Sequence, residues 1–164
     1  MKVAVFGASG LLGSAVSQSV VRRGHVLYPY SNVSSIVHAG EQLCKALSLE
    51  NDEQLTRELF DQWPDAIVNC AAVSSPDAVN LSPENAKLVN VGGAHRLASI
   101  ASHIGARFIH ISTDMVFDGK KSPYRSTDVP NPLSEYGKQK LEAEKKVLSV
   151  SEENIVVLRI TLIN

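Results

Sequence analysis

Residues 1–24 of the chain read MKVAVFGASGLLGSAVSQSVVRRG, and this stretch decides the fold. Residues 2–6 form a short apolar run that ends at Gly7, which predicts a buried β-strand. Residues 11–23 then carry apolar side chains at nearly helical spacing, and Gly24 is suited to end a helix there. The stretch therefore predicts a strand, a glycine-rich turn and a helix in immediate succession.

Strand and helix patterns keep alternating along the rest of the chain. The predicted strands are 2–6, 25–30, 46–49, 66–72, 107–111 and 154–163, and the predicted helices are 11–23, 52–63, 83–104 and 133–148. Apolar strands that alternate with helices are typical of a parallel sheet covered on both faces. We predict one α/β domain over residues 1–164, a doubly wound parallel sheet of the Rossmann type with about six strands and helices on both faces.

The composition excludes several classes of protein. Hydrophobic residues make up 44% of the chain and charged residues 20%, which is typical of a folded globular domain. The 16 basic residues do not exceed the 17 acidic ones, so the basic surplus of a nucleic-acid-binding protein is missing. No apolar run reaches the length of a transmembrane helix, and the N-terminal apolar run is too short for a signal peptide.

Two cysteines, Cys44 and Cys70, do not form a CxxC motif, and no His/Cys cluster has the spacing of zinc ligands. This usage fits a reduced protein better than a disulfide framework. We therefore expect a cytoplasmic protein without a metal site, a nucleic-acid partner or a membrane span. The irregular stretch 118–132 is too polar for a core, and a loop of that length is usually functional or mobile.

A GxxGxxG motif occupies the turn between the first strand and the first helix. At the first βα turn of a parallel sheet, such glycines permit a tight turn, phosphate approach to the backbone and close packing of helix on strand. The amides at the helix N-terminus also favour an anion. The motif predicts a dinucleotide site, against the alternative of a glycine-rich turn without a ligand. The candidate cofactor-binding residues in it are Gly7, Ser9, Gly10, Leu11, Leu12 and Gly13.

The end of the second strand bears on the choice between NAD and NADP. An acidic residue there would favour NAD, and residues 28–32 contain none. Ser31 and Asn32 could hydrogen-bond a phosphate, and Arg22 or Arg23 could reach it, so NADP is favoured while NAD stays possible. The alternative role of the two arginines is a solvated helix end that complements the helix dipole.

Tyr136 and Lys140 form a YxxxK pair, which places both residues on one face of a helix. A nearby ammonium lowers the pKa of a tyrosine, which would make Tyr136 a proton donor to a carbonyl during reduction. Thr113 follows the strand 107–111 and should lie at the carboxyl edge of the sheet, where ligands bind. Its hydroxyl could hydrogen-bond a substrate oxygen that gains charge. The alternatives are an ordinary helical pair and, for Thr113, a turn or capping role.

Together these residues resemble the extended short-chain dehydrogenase/reductase family, and the resemblance runs through the whole chain in order. After the glycine motif come NCAA at 69–72, NVGG at 90–93 and STD at 112–114, and the YxxxK pair follows. The resemblance implies a Rossmann domain that binds a nicotinamide dinucleotide.

Within that family, two segments resemble the dTDP-4-dehydrorhamnose reductase branch. They read HISTDMVFDG at 110–119 and PNPLSEYGK at 130–138. The branch also includes the regulatory β subunit of methionine adenosyltransferase, which has the same fold and binds NADP. SPDAV at 75–79 and VLRI at 157–160 are somewhat more similar to that subunit.

The resemblance implies roles for individual residues. Thr113 would hold the substrate carbonyl, Tyr136 would donate the proton, and Lys140 would bind the nicotinamide ribose and lower the pKa of Tyr136. Asn90 would support the site, with a satisfied polar residue inside a helix as the alternative. The implied catalytic residues are Thr113, Tyr136 and Lys140. The implied cofactor-binding set adds Ser31, Asn32, Cys70, Ala71, Ala72, Asn90, Tyr136 and Lys140 to the glycine turn.

The chain departs from the family pattern in three places. Met115 stands where the branch usually has Tyr, and Ser48 stands where the family often has an Asp beside the adenine. The sequence ends at Asn164, just after the sixth predicted strand, whereas family members continue into a C-terminal region that supplies most of the substrate pocket. The resemblance therefore implies the cofactor half and the catalytic residues, with little of the substrate pocket.

Three hypotheses about function follow from the resemblance. The first is an NADP(H)-dependent reductase that transfers a hydride to a 4-keto nucleotide sugar. The second is a non-catalytic NADP-binding regulatory subunit whose partner is a methionine adenosyltransferase catalytic subunit. The third is a truncated fragment or isoform of either. Family members often pair through helices that correspond to 83–104 and 133–148, which makes a homodimer possible.

Overall fold

The first strand and helix lie where the sequence predicts them. A computed structural model describes residues 1–32, 38–39, 42–151 and 153–161. The strands are β1 (Lys2–Phe6), β2 (Val26–Ser31), β3 (His38–Ala39), β4 (Gln42–Leu43), β5 (Lys45–Ala46), β6 (Ala66–Asn69), β7 (Arg107–Thr113) and β8 (Ile155–Ile160). The helices are α1 (Leu11–Arg22), α2 (Asp52–Gln62), α3 (Pro76–Leu81), α4 (Pro83–Lys87), α5 (Ala94–Ile104) and α6 (Glu135–Leu148). A π-helical segment at Leu88–Gly93 joins α4 to α5, and a 3₁₀ turn covers Asp114–Val116.

A 6-stranded sheet in the order β5-β2-β1-β6-β7-β8 forms the centre of the fold. Every strand pair in it is parallel, and β3 pairs with β4 in a separate antiparallel ladder. The chain runs outward from β1 to β2 and β5, and then returns to the other side of β1 for β6, β7 and β8. The predicted doubly wound Rossmann-type sheet is confirmed, and its order reverses between β1 and β6, where such folds bind ligands.

Side chains that alternate along the strands build a hydrophobic core on each face of the sheet. Ala4 and Phe6 of β1 pack in the larger core, to which α2, α5 and α6 contribute. Val3 and Val5 point to the other face and pack in the smaller core with Val20 of α1. Both faces of β1 are therefore covered, which explains why this strand is an unbroken apolar run.

Some predicted strand boundaries were wrong, and local contacts explain the differences. The third strand of the sheet covers Lys45–Ala46 instead of 46–49, because only these residues pair with the end of β2. The strand predicted over 66–72 ends at Asn69, whose side-chain oxygen accepts a hydrogen bond from Ala71 N at 3.1 Å. The last strand ends at Ile160 instead of residue 163, and residues 162–163 lie outside the described residues.

The predicted helices differ from the structure in the second half of the chain. The segment 83–104 is helical throughout, but its centre is the π-helical segment Leu88–Gly93. A separate helix, α3, was not predicted, although Ser75 caps it through Ala78 N and Pro76 begins it. The helix predicted from residue 133 begins at Glu135, because the Ser134 side chain accepts a hydrogen bond from Gly137 N.

Within the described residues, Cys44 and Cys70 are not joined in a disulfide. Within the described ranges, no helix combines the length and the apolar character needed to cross a bilayer. The same residues contain no group of three or more side chains placed to hold a metal ion.

Candidate functional site

The glycine motif forms a tight turn whose geometry tolerates no side chain at two of its positions. Gly7 has a φ of 74°, and a Cβ atom there would lie 2.7 Å from Ala71 N. A Cβ atom at Gly13 would lie 2.0 Å from the Gly7 carbonyl oxygen, so α1 packs directly on the turn. In this described segment no side chain caps the start of α1, where Gly10 is the N-cap residue. The first amides of α1 are thus open to an anionic ligand.

A cavity of about 860 Å³ lies at the carboxyl edge of the sheet, beside the point where the strand order reverses. The structure brings nearly all of the predicted site residues to its wall. These are residues 7 and 9–13 of the glycine turn, Ser31, Asn32, residues 70–72, Thr113, Tyr136 and Lys140. The cavity therefore joins the glycine motif to the three predicted catalytic residues in a single space.

Asn90 is the predicted site residue that does not line this cavity. It is buried in the π-helical segment, where its side chain accepts a hydrogen bond from Val73 N at 2.8 Å and donates to Val73 O at 3.1 Å. It also donates to Gln139 Oε1 at 3.1 Å. Asn90 thus holds the segment that follows β6 against the cavity, and the prediction that it contacts the cofactor finds no support in its position.

Three other residues named from the sequence lie away from the cavity wall. Arg22 donates a hydrogen bond to Gln18 Oε1 at 3.1 Å, and neither it nor Arg23 lines the cavity. The suggestion that these arginines reach a phosphate is not supported in this structure. Ser48 accepts a hydrogen bond from Glu50 N and also lies off the wall.

Thr113 has the capping role that the sequence offered as an alternative, and its role toward a substrate stays a prediction. Its Oγ1 accepts a hydrogen bond from Met115 N at 3.2 Å, which caps the 3₁₀ turn, and it donates to Asp114 Oδ1 at 3.2 Å. It also lines the cavity. The capping bond fixes the hydroxyl at the end of β7.

Lys140 is almost fully buried, and its amine is held by two groups of β7. Its Nζ donates to Ile111 O at 2.6 Å and lies 3.2 Å from His110 Nε2. Burial lowers the pKa of Lys140 to about 8, although Glu144 and the Cys70 thiol act in the opposite direction. Burial also raises the pKa of Tyr136 above its ordinary value. The expected lowering of the Tyr136 pKa by Lys140 is therefore wrong for this structure, because desolvation of the phenol dominates.

The RmlD substrate binding domain model matches residues 1–163 of the chain. The chain belongs to this family. The match confirms the resemblance to the dTDP-4-dehydrorhamnose reductase branch that the sequence motifs indicate.

Two kinds of curated relatives are similar to this RmlD-family chain. Methionine adenosyltransferase 2 subunit beta of Bos taurus is 38% identical over 164 residues, which cover 99% of this chain and 47% of the relative. The dTDP-4-dehydrorhamnose reductase of Aggregatibacter actinomycetemcomitans is 32% identical over 157 residues, which cover 95% of this chain and 50% of the relative. The chain thus spans about half the length of the curated relatives it matches.

Solved structures of the family agree with the fold. The dTDP-4-dehydrorhamnose reductase of Bacillus anthracis, solved in complex with NADP, superposes with a TM-score of 0.85 and is 25% identical. The match covers 98% of this chain and 53% of that one.

Sequence reasoning missed a group of buried polar residues behind the cavity of the RmlD-family chain. Asn69 and His110 are neighbours on β6 and β7, and both are buried. Glu144 accepts a hydrogen bond from Ser112 Oγ at 2.5 Å and forms an ion pair with Arg159 at 2.7 Å. A signal was present, because His110 and Ser112 stand at alternate positions of β7 and therefore place polar groups on one face.

A second cavity of about 1100 Å³ adjoins the first and shares Asp114 and Met115 with it. Part of the irregular stretch 118–132 borders this second cavity. Asp118 organises that stretch by accepting hydrogen bonds from Lys120 N, Tyr124 Oη and Asn131 Nδ2. These bonds lower the pKa of Asp118 to about 2.

Proposed function

We propose that the chain binds NADP(H) in the cavity of about 860 Å³ and reduces the keto group of a 4-keto nucleotide sugar. The observation that carries the proposal is the convergence of the glycine turn, Thr113, Tyr136 and Lys140 on that cavity. The names of the reductase relatives support the substrate class, and the NADP complex of the Bacillus anthracis reductase supports the cofactor.

The residues of the cavity wall fit a dinucleotide. The pyrophosphate would lie against Gly10 and the first amides of α1, where the backbone donors and the helix dipole favour an anion. Ser31 and Asn32 at the end of β2 would face the 2′-phosphate, and residues 28–32 contain no acidic side chain that would repel it. Tyr136 and Lys140 would hold the nicotinamide ribose. When bound, NADPH supplies the hydride.

Tyr136 is suited to act as the acid of the reduction. Burial raises the pKa of Tyr136, so the phenol keeps its proton at neutral pH and can donate it to the developing alkoxide. Thr113 would orient the substrate oxygen, and for this its hydroxyl proton must turn from Asp114 Oδ1 to the substrate. The capping bond from Met115 N keeps the oxygen of Thr113 in place during that change.

A second candidate function is that of a non-catalytic regulatory subunit that binds NADP and a methionine adenosyltransferase catalytic subunit. The observation that favours it is the higher identity to methionine adenosyltransferase 2 subunit beta, at 38%, than to the Aggregatibacter reductase, at 32%. Met115, which lines both cavities, also replaces the aromatic residue expected in a reductase. A homodimer through α5 and α6 is compatible with both candidates.

A calorimetric titration with NADPH, and separately with NADH, tests the shared part of both candidates. We expect NADPH to bind in the micromolar range and NADH to bind much more weakly. Absence of binding by either dinucleotide would overturn both candidate functions.

Turnover then separates the two candidates. With a dTDP-4-keto-6-deoxy sugar, the reductase hypothesis predicts oxidation of NADPH that Tyr136→Phe slows by about 10²- to 10⁴-fold, with a much smaller loss of NADPH affinity because only one contact to the ribose is removed. Tyr28→Phe is the matched control, because Tyr28 lies on β2 and does not line the cavity. NADPH binding without turnover, together with specific binding of a methionine adenosyltransferase catalytic subunit, would favour the regulatory role.

A further inference from the structure

A line of hydrogen bonds runs from the backbone after β6 to the amine of Lys140. Ala71 N donates to Asn69 Oδ1 at 3.1 Å, and Asn69 Nδ2 lies 3.3 Å from His110 Nδ1. His110 Nε2 in turn lies 3.2 Å from Lys140 Nζ. Asn69, His110 and Lys140 are each at most 2% exposed, so bulk water does not compete for these contacts.

The first link gives the whole line a fixed direction. A backbone N–H can only donate, so Asn69 must present its oxygen to Ala71 and its NH₂ group to His110. Nδ1 of His110 then accepts, and a neutral imidazole must carry its single proton on Nε2. Reversal of any link would bring two donors face to face inside the protein.

His110 has one ring proton because the cationic form is disfavoured at this position. Burial, with a contribution from Lys140, lowers the pKa of His110 to about 2. The proton on Nε2 therefore points at Lys140 Nζ when the amine is neutral. An ammonium has three donors and no lone pair, whereas a neutral amine can accept this hydrogen bond.

We propose that His110 is a positioning residue that donates its Nε2–H to Lys140 Nζ and thereby favours the neutral amine in the cofactor-free protein. The proposal rests on the proposed function in one respect only, which is the expectation that Lys140 contacts the cofactor. The amine is held in place by its second contact, the donation to Ile111 O at 2.6 Å.

The charges around Lys140 agree with this assignment. Glu144, one turn further along α6, favours the ammonium, but its carboxylate is engaged by Arg159 of β8 through Nε and Nη2. Cys70, which follows β6, has a pKa raised to about 11 by burial, so it is a neutral thiol at physiological pH. Tyr136 on α6 is likewise neutral, because burial raises its pKa. His110 is the titratable neighbour from β7 and is also uncharged.

Nuclear magnetic resonance of the whole chain tests the proposal without any cofactor. Ring ¹⁵N shifts report which nitrogen of His110 carries the proton, and we expect Nε2–H at pH 9, where the Lys140 amine is neutral. With lysine labelled at ¹³Cε, the signal that disappears in Lys140→Arg is assigned to Lys140. Its midpoint is expected near pH 8 or below, well under the ordinary pKa of a lysine side chain.

Substitution of His110 provides the second arm of the test. His110→Leu removes the donor and should raise the Lys140 midpoint by about one pH unit, since one hydrogen bond to the neutral form is lost. His110→Gln can offer a side-chain oxygen to the Lys140 ammonium and should raise the Lys140 midpoint by at least as much. His103→Gln on the exposed face of α5 is the control and should leave the midpoint unchanged.

Two outcomes would overturn the proposal. One is a proton on Nδ1 of His110, and the other is a Lys140 midpoint that stays the same in a folded His110→Leu variant. If His110→Leu does not fold, the position of the ring proton of His110 in the wild-type protein decides whether the proposal stands. A failure of NADPH to bind would leave these measurements interpretable, so the proposal and the proposed function fail separately.

Discussion

Tyr136 and Lys140 lie on the same cavity wall, and burial shifts their pKa values in opposite directions. Burial disfavours the charged form of either group, so the pKa of Tyr136 is raised and that of Lys140 is lowered to about 8. Both residues are therefore driven toward neutrality in the cofactor-free protein. A reductase of this type needs its tyrosine protonated when the alkoxide forms, and this environment keeps the proton on Tyr136.

Asn32→Asp should shift the cofactor preference from NADPH toward NADH. Asn32 is exposed at the end of β2 and lines the cavity, so a carboxylate there would repel the 2′-phosphate and could accept from a ribose hydroxyl. We expect NADPH affinity to fall by about tenfold or more, since like charges near a protein surface cost roughly 1–4 kcal/mol at contact distance. Calorimetric titration with both dinucleotides measures the effect.

The control for this prediction is Asn51→Asp, which keeps a capping oxygen at the start of α2 and lies away from the cavity. It should leave both affinities unchanged. An equal fall in NADPH and NADH affinity for Asn32→Asp would contradict the assignment of this position to the 2′-phosphate.

At the scale of elements, the π-helical segment gives Asn90 its function. The wider turn brings the Asn90 amide to Val73, where it satisfies both the N–H and the C=O of one residue. Gln139 of α6 completes the cluster by accepting from Asn90 and donating to Pro83 O at 2.9 Å. Interruptions of this kind often mark functional sites, and here the interruption supports the segment that lines the cavity.

Asn90→Ala should lower the free energy of unfolding by about 2–3 kcal/mol, because the half-buried N–H and C=O of Val73 and the buried Oε1 of Gln139 lose their partner. NADPH affinity should fall as well, since residues 70–73 line the cavity. Asn85→Ala on the exposed face of α4 is the matched control, with an expected change within about 0.5 kcal/mol. Urea unfolding compares the two variants, and equal losses would show that the amide of Asn90 does not support this segment.

The elements that the sequence predicted correctly are those with local signals. The run Lys2–Phe6 and the glycines after it define β1 and the turn without reference to the rest of the chain. The π-helical segment depends on a contact between Asn90 and Val73, which are distant in sequence, so no local pattern announces it. The helix α3 was predictable, because Ser75 followed by Pro76 is a helix start signal, but it is not among the helices predicted from the apolar pattern.

The candidate site likewise has a part that the sequence predicts and a part that it does not. Its wall could be predicted, because the glycine turn and the YxxxK pair are sequence motifs placed at one edge of the sheet. The hydrogen bonding of the Lys140 amine could not be predicted, because it depends on the strand register that places Asn69 of β6 beside His110 of β7. The expectation that Lys140 acts on Tyr136 through charge overlooked the burial that both residues share.

At the scale of the whole molecule, an ion pair between the half-buried Arg159 and the buried Glu144 connects the last strand to the site. Arg159 of β8 pairs with Glu144 of α6, and Glu144 also accepts a hydrogen bond from Ser112 of β7. The guanidinium of Arg159 lies 5.1 Å from the centre of the Phe117 ring, which borders the second cavity. A single pair therefore fixes β8, α6 and the loop after β7 relative to one another.

Arg159→Met should destabilise the protein by about 3–5 kcal/mol, because it leaves the Glu144 carboxylate buried without its partner. The double variant Glu144→Gln with Arg159→Met should be less destabilised than Arg159→Met alone, since no uncompensated charge remains. The control is Arg57→Met, which breaks an exposed pair with Glu53 and should cost less than about 1 kcal/mol. Urea unfolding of the wild type, Arg159→Met, Glu144→Gln and the double variant measures the coupling, and additive losses would mean that the pair does not join these elements energetically.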